Sequence, residues 1–267
     1  MRLERVASRD DPRLDAFRDV RDRDRRQAGE FLVEGEVPFR VQVARGRHPT
    51  RAVLLAEGRE EKLGDALARL PDETPVWVLP QREMDAVVGF AIHRGVLAAC
   101  SRREPESVDE LVSSLPDDAV VVAALSVVNH DNVGGVFRNA AALGARAVLL
   151  DGVTCDPLYR KAIRVSAGAA LFVPFAREAD PRALFAILAR GGYHVAALSP
   201  RADARPVSSL PRVGRLALVV GAEGPGLDGA VMRAASSVVR VPMVAGFDSL
   251  NVATALAIAL YERATAR

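Results

Sequence analysis

Ala119-Val-Val-Val-Ala-Ala-Leu-Ser-Val-Val-Asn-His-Asp-Asn-Val-Gly-Gly-Val-Phe-Arg-Asn-Ala140 decides the fold class. Residues 119–125 are a continuous apolar run of strand length, the mark of a strand buried on both faces. From 133 to 143 the apolar residues recur at helical spacing, and 145–150 is a second apolar run. The alternation continues to the end of the chain. Helical spacing over 157–166 is followed by a strand at 171–174, a helix at 181–190 and a strand at 194–198. Strands at 215–220 and 238–241 and a helix over 249–264 follow. Buried strands alternating with helices predict an α/β domain whose mostly parallel sheet is covered on both sides.

Upstream the pattern is less regular. Residues 2–26 hold nine arginines and seven acids, with Leu3, Val6, Leu14, Phe17 and Val20 spaced as in short amphipathic helical pieces. Mixed charge gives weak net attraction for a phosphate backbone, so a solvated face and an RNA-facing face are both open readings. Glu30-Phe-Leu-Val-Glu-Gly35 reads as a strand ending at a turn, and 36–45 as a helix. Residues 51–55, 76–79 and 95–99 read as strands, with helical pieces near 60–70 and 81–88. This predicts a small α/β domain over 1–105, a polar, proline-bounded linker at 106–117, and the parallel-sheet domain over 118–267.

Composition excludes several classes. With 267 residues, 49% apolar and 26% charged, the chain can bury a core without disulfides or a structural metal. Cys100 and Cys155 are its two cysteines and form no CxxC pair, and His48, His93, His130 and His194 lack metal-ligand spacing. No metal is therefore expected. The apolar runs are too short for a membrane span, and the N-terminal residues contain no apolar signal region, so a cytoplasmic protein is expected. The net charge of +2 decides little about partners. Lys62 and Lys161 are its lysines and arginine supplies every other basic side chain; genomic bias and phosphate recognition by the planar guanidinium both fit.

Three segments can carry chemistry. In 128–140, Asn132 is placed to cap a helix, Gly134 and Gly135 keep its first turn bare, and Arg138 follows almost two turns in. A ligand loop and a plain capped helix are both open there. Val219-Val-Gly-Ala-Glu-Gly-Pro-Gly-Leu227 runs from a buried strand into a glycine turn that is neither GxGxxG nor a P-loop. Glu223 within it is a carboxylate able to accept from backbone, arginine or substrate. In 239–254, Ser249 can cap the last helix. Asn251, a poor helix former, calls for a bond to a neighbouring loop. No nucleophile elbow is present, and the missing GxGxxG counts against a dinucleotide oxidoreductase.

Together these segments resemble the motifs of the SpoU/TrmH-type SPOUT RNA ribose 2′-O-methyltransferases. Asn129-x-x-Asn132-x-Gly134-x-x-x-Arg138-x-Ala140 is similar to the first motif. Gly221-Ala-Glu223-Gly224-x-Gly226-Leu227 is similar to the second, and Val241-Pro242-Met243 with Ser249-Leu250-Asn251-Val252 to the third. Ile163-Arg164-x-Ser166-x-Gly168-Ala169 resembles a further family feature. The resemblance covers about 120–263. Upstream, 31–35 and 93–97 resemble the family's small substrate-binding domain, with Arg94 where the family usually shows Gln.

The resemblance implies a SPOUT domain with a C-terminal trefoil knot, preceded by that substrate-binding domain, in a homodimer with the first-motif helix and the last helix near the interface. It implies S-adenosylmethionine held by Leu198, Gly221, Glu223, Gly226, Val241, Met243 and Leu250, largely through backbone groups. It implies a catalytic set of Arg138, Asn132, Glu223, Ser249 and Asn251. An arginine side chain gives up its proton only at great cost, so Arg138 then serves better as a phosphate grip and charge stabiliser than as a base. The implied partner is RNA, ribosomal RNA favoured over transfer RNA, with no DNA and no membrane. A noncatalytic RNA-binding protein of the same fold is the competing reading.

Overall fold

The computed structural model describes residues 2–18, 22–89, 92, 95–224, 226–244 and 246–265, the side chains of Arg2 and Arg23 excepted. The expectations for Val20, His93 and Arg94 lie outside the described residues. The chain divides into two units, 1–104 with 158–172, and 105–157 with 173–267.

In the first unit the strands are β1 (Arg2–Arg5), β2 (Glu30–Glu34), β3 (Thr50–Ala56), β4 (Pro75–Leu79) and β5 (Val96–Ser101). The helices among them are α1 (Asp22–Gln27), α2 (Glu36–Arg45), α3 (Glu60–Leu67) and α4 (Gln81–Val88). The sheet order is β1-β4-β3-β5-β2, parallel through β1, β4 and β3 and antiparallel at β5 and β2. Residues 2–5 are an edge strand rather than the expected helical piece, because Leu3 and Val6 pair along β4. Leu14 and Phe17 are buried from a 3-10 turn, Pro12–Phe17. Much of the charge in 2–26 pairs within this unit: Arg13 with Glu4 and Asp11, Arg18 with Asp15, Arg5 with Glu57 and Glu60. That pairing favours the solvated face.

The second unit opens with α5 (Val108–Ser113), where a linker was expected. A Ser107–Glu110 capping box starts it, and Val108, Leu111 and Val112 are buried at helical spacing. The polar residues that suggested a linker are its cap and its wet face. The sheet then follows: β6 (Val120–Ala124), α6 (His130–Ala142) and β7 (Ala147–Leu150). Helix α7 (Arg160–Val165) lies in 158–172 and folds with the first unit, a second departure from the expected boundary. There Ser166 is buried, its hydroxyl donating to the Ile163 carbonyl (2.9 Å). Gly168 sits at φ +84°, where an added Cβ would stand 2.9 Å from Val41. Within this structure that motif is a packing device. The strand expected at 171–174 begins later, as β8 (Phe175–Arg177), because a 3-10 turn occupies Ala169–Leu171.

The rest of the second unit is α8 (Pro181–Arg190), β9 (His194–Leu198), β10 (Arg205–Pro206), β11 (Leu216–Val220), α9 (Gly229–Ala234), β12 (Ser237–Arg240) and α10 (Val252–Thr265). The sheet is parallel throughout, in the order β10-β12-β9-β11-β6-β7-β8. Odd-numbered residues of β6 join α5 and α8 in one buried cluster, against which Val231 and Met232 of α9 pack. Helices α6 and α10 contribute none to that cluster and pack on each other and on β6, β7 and β11, covering the second face. Their crossing is close: a Cβ on Gly135 would stand 2.7 Å from that of Ala253, and Asn139 Nδ2 donates to the Ala253 carbonyl (2.7 Å). Gly135 therefore admits another helix rather than a ligand. Chain order reverses between β6 and β11, and the loops leaving the carboxyl ends there meet.

Candidate functional site

A cavity of about 420 Å³ opens among the loops that follow β9, β11 and β12, a volume typical of a small-molecule site. Leu198, Gly221, Glu223, Gly226, Val241, Met243, Ser249, Leu250 and Asn251 all line it. Sequence reasoning missed Ser199, Pro200, Arg240, Val252 and Ala255, which line it too. The signal for Arg240 was a cation inside the apolar run 238–241.

The turn 221–227 folds back on itself. Gly226 N donates to the Ala222 carbonyl (3.1 Å). A Cβ on Gly221 would stand 2.8 Å from the Gly226 carbonyl carbon and 2.8 Å from Leu227 N. Gly221 is thus small for its own turn, not first for a ligand. Gly224 (φ +84°) and Gly226 (φ +69°) occupy left-handed backbone with open space where a Cβ would be, so the main chain there is approachable.

Asn251 ties the three segments together. Its Oδ1 accepts from Ala253 N (2.9 Å) and Thr254 N (3.3 Å), capping α10. That fixes the amide orientation, and Nδ2 donates to Asn132 Oδ1 (2.8 Å) and to Glu223 Oε1 (3.1 Å). The expected bond to a neighbouring loop is therefore two bonds, to two loops. The caps differ from expectation. Asn129, not Asn132, caps α6 by accepting from Asp131 N (2.8 Å), which leaves Asn132 buried in the first turn and aimed at Asn251. Ser249 lies before α10 as an exposed cavity residue rather than its cap.

Arg138 is not brought into this set. It is exposed on α6, outside the cavity lining, and no described residue pairs with it. Six residues beyond Asn132, it is turned about 240° around the helix axis.

A second cavity, about 580 Å³, shares Ala222 and Gly226 with the first and is bordered by Ser126, Asp151 and the start of α8. Asp151 is buried at the end of β7. It accepts from Ser126 N (2.9 Å), Ser126 Oγ (3.1 Å), Val153 N (3.2 Å) and Thr154 N (2.7 Å), and these bonds hold Ser126 at φ +57°. Burial pushes the carboxyl up, but the bonds from Thr154 and Ser126 outweigh it and the carboxyl titrates below its ordinary value. The contribution of Asp151 to stability is therefore full above about pH 4, the unfolded value, and is lost as pH falls through the depressed folded one. Asp151→Asn is expected to cost about 1–3 kcal/mol at neutral pH. Urea unfolding should show the gap to wild type closing in acid.

Cys100 and Cys155 are free thiols, and burial pushes them up to about 12 and about 11, the Asp156 charge adding to the second. Neither is a thiolate at neutral pH. Among the described residues no cluster of three or more His, Cys, Asp or Glu could hold a metal, and no helix is long and apolar enough to cross a membrane.

The profile of the SpoU rRNA Methylase family matches residues 119–261, the span that builds the cavity. The chain belongs to this family. An uncharacterized tRNA/rRNA methyltransferase of Mycobacterium tuberculosis is 42% identical over 97% of this chain and 90% of its own length. The fold matches an AdoMet-bound rRNA methyltransferase of Sinorhizobium meliloti with a TM-score of 0.80, at 22% identity, over 98% of this chain and 97% of that one. An RNA 2′-O ribose methyltransferase matches with a TM-score of 0.77 at 25% identity, over 97% and 98%. SpoU membership makes this chain one of a family of RNA methyltransferases.

Proposed function

We propose that this chain transfers a methyl group from S-adenosylmethionine to a ribose 2′-hydroxyl of structured RNA, ribosomal RNA in preference to transfer RNA. The observation that carries the reading is the Asn251 junction: from the cavity wall Asn251 bonds Glu223 of the second motif, which lines the cavity too, and Asn132 of the first. The cavity fits the cofactor. Gly224 and Gly226 leave backbone open to it, Leu198, Val239, Met243 and Leu250 offer apolar wall to an adenine, and Glu223 offers negative charge to its cationic end. When bound, S-adenosylmethionine supplies a methyl on a sulfonium that departs as a neutral thioether, so no acid is needed at the leaving group.

What remains for the protein is alignment, charge and letting the 2′-hydroxyl proton leave to solvent. Holding the hydroxyl in line is worth on the order of 7–11 kcal/mol at best. Asn132, Ser249 and Asn251 order the loops that set this geometry, and Glu223 is held by Asn251. Arg138 grips a phosphate beside the target ribose and stabilises negative charge developing on the 2′ oxygen.

The reading includes a homodimer. Arg138 stands apart from its own chain's cavity, and Val128 and Tyr261, beside α6 and on α10, are 64% and 60% exposed. A second copy docked on these helices accounts for both. It also includes the trefoil knot: the chain leaving β12 rims the cavity, bonds Glu223 through Asn251, and then packs α10 on α6 and β11. The N-terminal unit is read as the RNA-substrate domain, and the setting as cytoplasmic.

Tritium transfer from methyl-labelled S-adenosylmethionine to separate pools of unmodified ribosomal and transfer RNA tests the reading. Label in ribosomal RNA that survives base hydrolysis as a 2′-O-methylated dinucleotide is the expected result. Label in transfer RNA alone reverses the substrate preference. No label and no cofactor binding would leave a noncatalytic RNA-binding protein.

A further inference from the structure

Arg240 ends β12 at the cavity wall. Its Nε is buried with no hydrogen-bond partner, and no described residue pairs with the guanidinium through its other nitrogens. The surrounding chain offers reasons to expect otherwise. The unit's other partly buried arginines are engaged: Arg215 and Arg263 also leave Nε unpartnered, yet Arg215 donates through its other nitrogens to Leu115, Gly191 and Asp117 and Arg263 to Val213, while Arg177 donates to Asp151 and Thr154. A partly buried guanidinium left without an acceptor is costly unless a ligand supplies one.

Among the described residues lining the cavity, Glu223 and Arg240 are the charged ones. S-adenosylmethionine carries three charges at neutral pH: a sulfonium, an α-ammonium and an α-carboxylate. The two positive groups match Glu223 in sign. The carboxylate has one cationic counterpart in the wall, and a guanidinium fork matches it in shape as well as sign. We infer that Arg240 anchors the α-carboxylate of the methyl donor. The inference rests on the methyl-donor reading above and adds a specificity residue to it.

The test compares two ligands that differ in this one group, S-adenosylmethionine and decarboxylated S-adenosylmethionine, by calorimetric titration without RNA. Wild type should prefer the carboxylated ligand. Arg240→Gln should lose at least about tenfold in affinity for it and under about twofold for the decarboxylated one. Arg240→Lys should fall between, keeping the charge without the fork. Retained binding of the decarboxylated ligand is also the check that the variant is folded, and Arg240→Lys replaces Arg240→Gln if the latter does not fold. Equal loss for both ligands would make Arg240 structural and overturn the assignment. Unchanged affinity for both, with a raised KM for RNA, would make it an RNA contact and overturn it too. No binding of either ligand by wild type would overturn the methyl-donor reading itself, and this inference with it.

Discussion

Arg138→Ala is expected to lower methyl transfer by about 10²–10³-fold, the range for removing one stabiliser of developing charge. Affinity for S-adenosylmethionine should stay within about twofold, since Arg138 does not line the cavity and is remote from its contacts. Stability should hold within about 0.5 kcal/mol, because an exposed side chain without a partner leaves nothing orphaned when removed. Arg138→Lys should recover part of the rate but not all, having charge without the bidentate fork. Single-turnover methylation beside cofactor titration separates these effects. Parallel loss of rate and affinity would put Arg138 in the cofactor's grip and defeat the assignment. Mixing Arg138→Ala with a Gly221→Val chain tests the second-copy geometry. Activity returns in the mixture only if one chain's arginine serves the other's cavity.

The parallel sheet was legible because its strands are apolar on both faces, a pattern that 120–124 and 216–220 show without interruption. Short elements were not. Helix α9 and the two-residue strand β10 take their place from neighbours, and α5 hid behind its own capping box. The boundary departure at 158–172 has the same origin: nothing local tells Gly168 that Val41 is its neighbour. At the site, the family resemblance brought out most of the cavity wall. Local spacing chose the wrong cap twice, Asn132 in place of Asn129 and Ser249 in place of Asn251, because each is a good cap by type. The choice is settled by which side chain has a distant partner. Arg240 was missed because strand periodicity treats a cation at a strand end as solvent-facing.

Asn251→Asp is the substitution expected to do most harm for its size. The carboxylate can still accept from Ala253 N and Thr254 N, and Asp is as good a cap as Asn, so α10 should start where it does. What is lost is the donor. Asn132 Oδ1, buried, is left facing an oxygen, and Glu223 Oε1, 3.1 Å from the present amide nitrogen, faces a second negative charge. An acceptor stranded this way costs about 1–3 kcal/mol, and the like charges add to it. Stability should fall by at least that amount in urea unfolding, and cofactor affinity about tenfold or more as the turn 221–227 loses its tether to α6. The pH dependence has a definite sign. A proton shared between the two carboxylates restores a donor, so affinity should recover as pH falls toward the raised value of the pair, while wild-type affinity shows no such rise. Adding Glu223→Gln supplies the donor permanently and should recover much of the loss at neutral pH. If Asn251→Asp costs neither stability nor affinity, Asn251 acts through its cap alone, and the three motifs are held together by packing rather than by this amide.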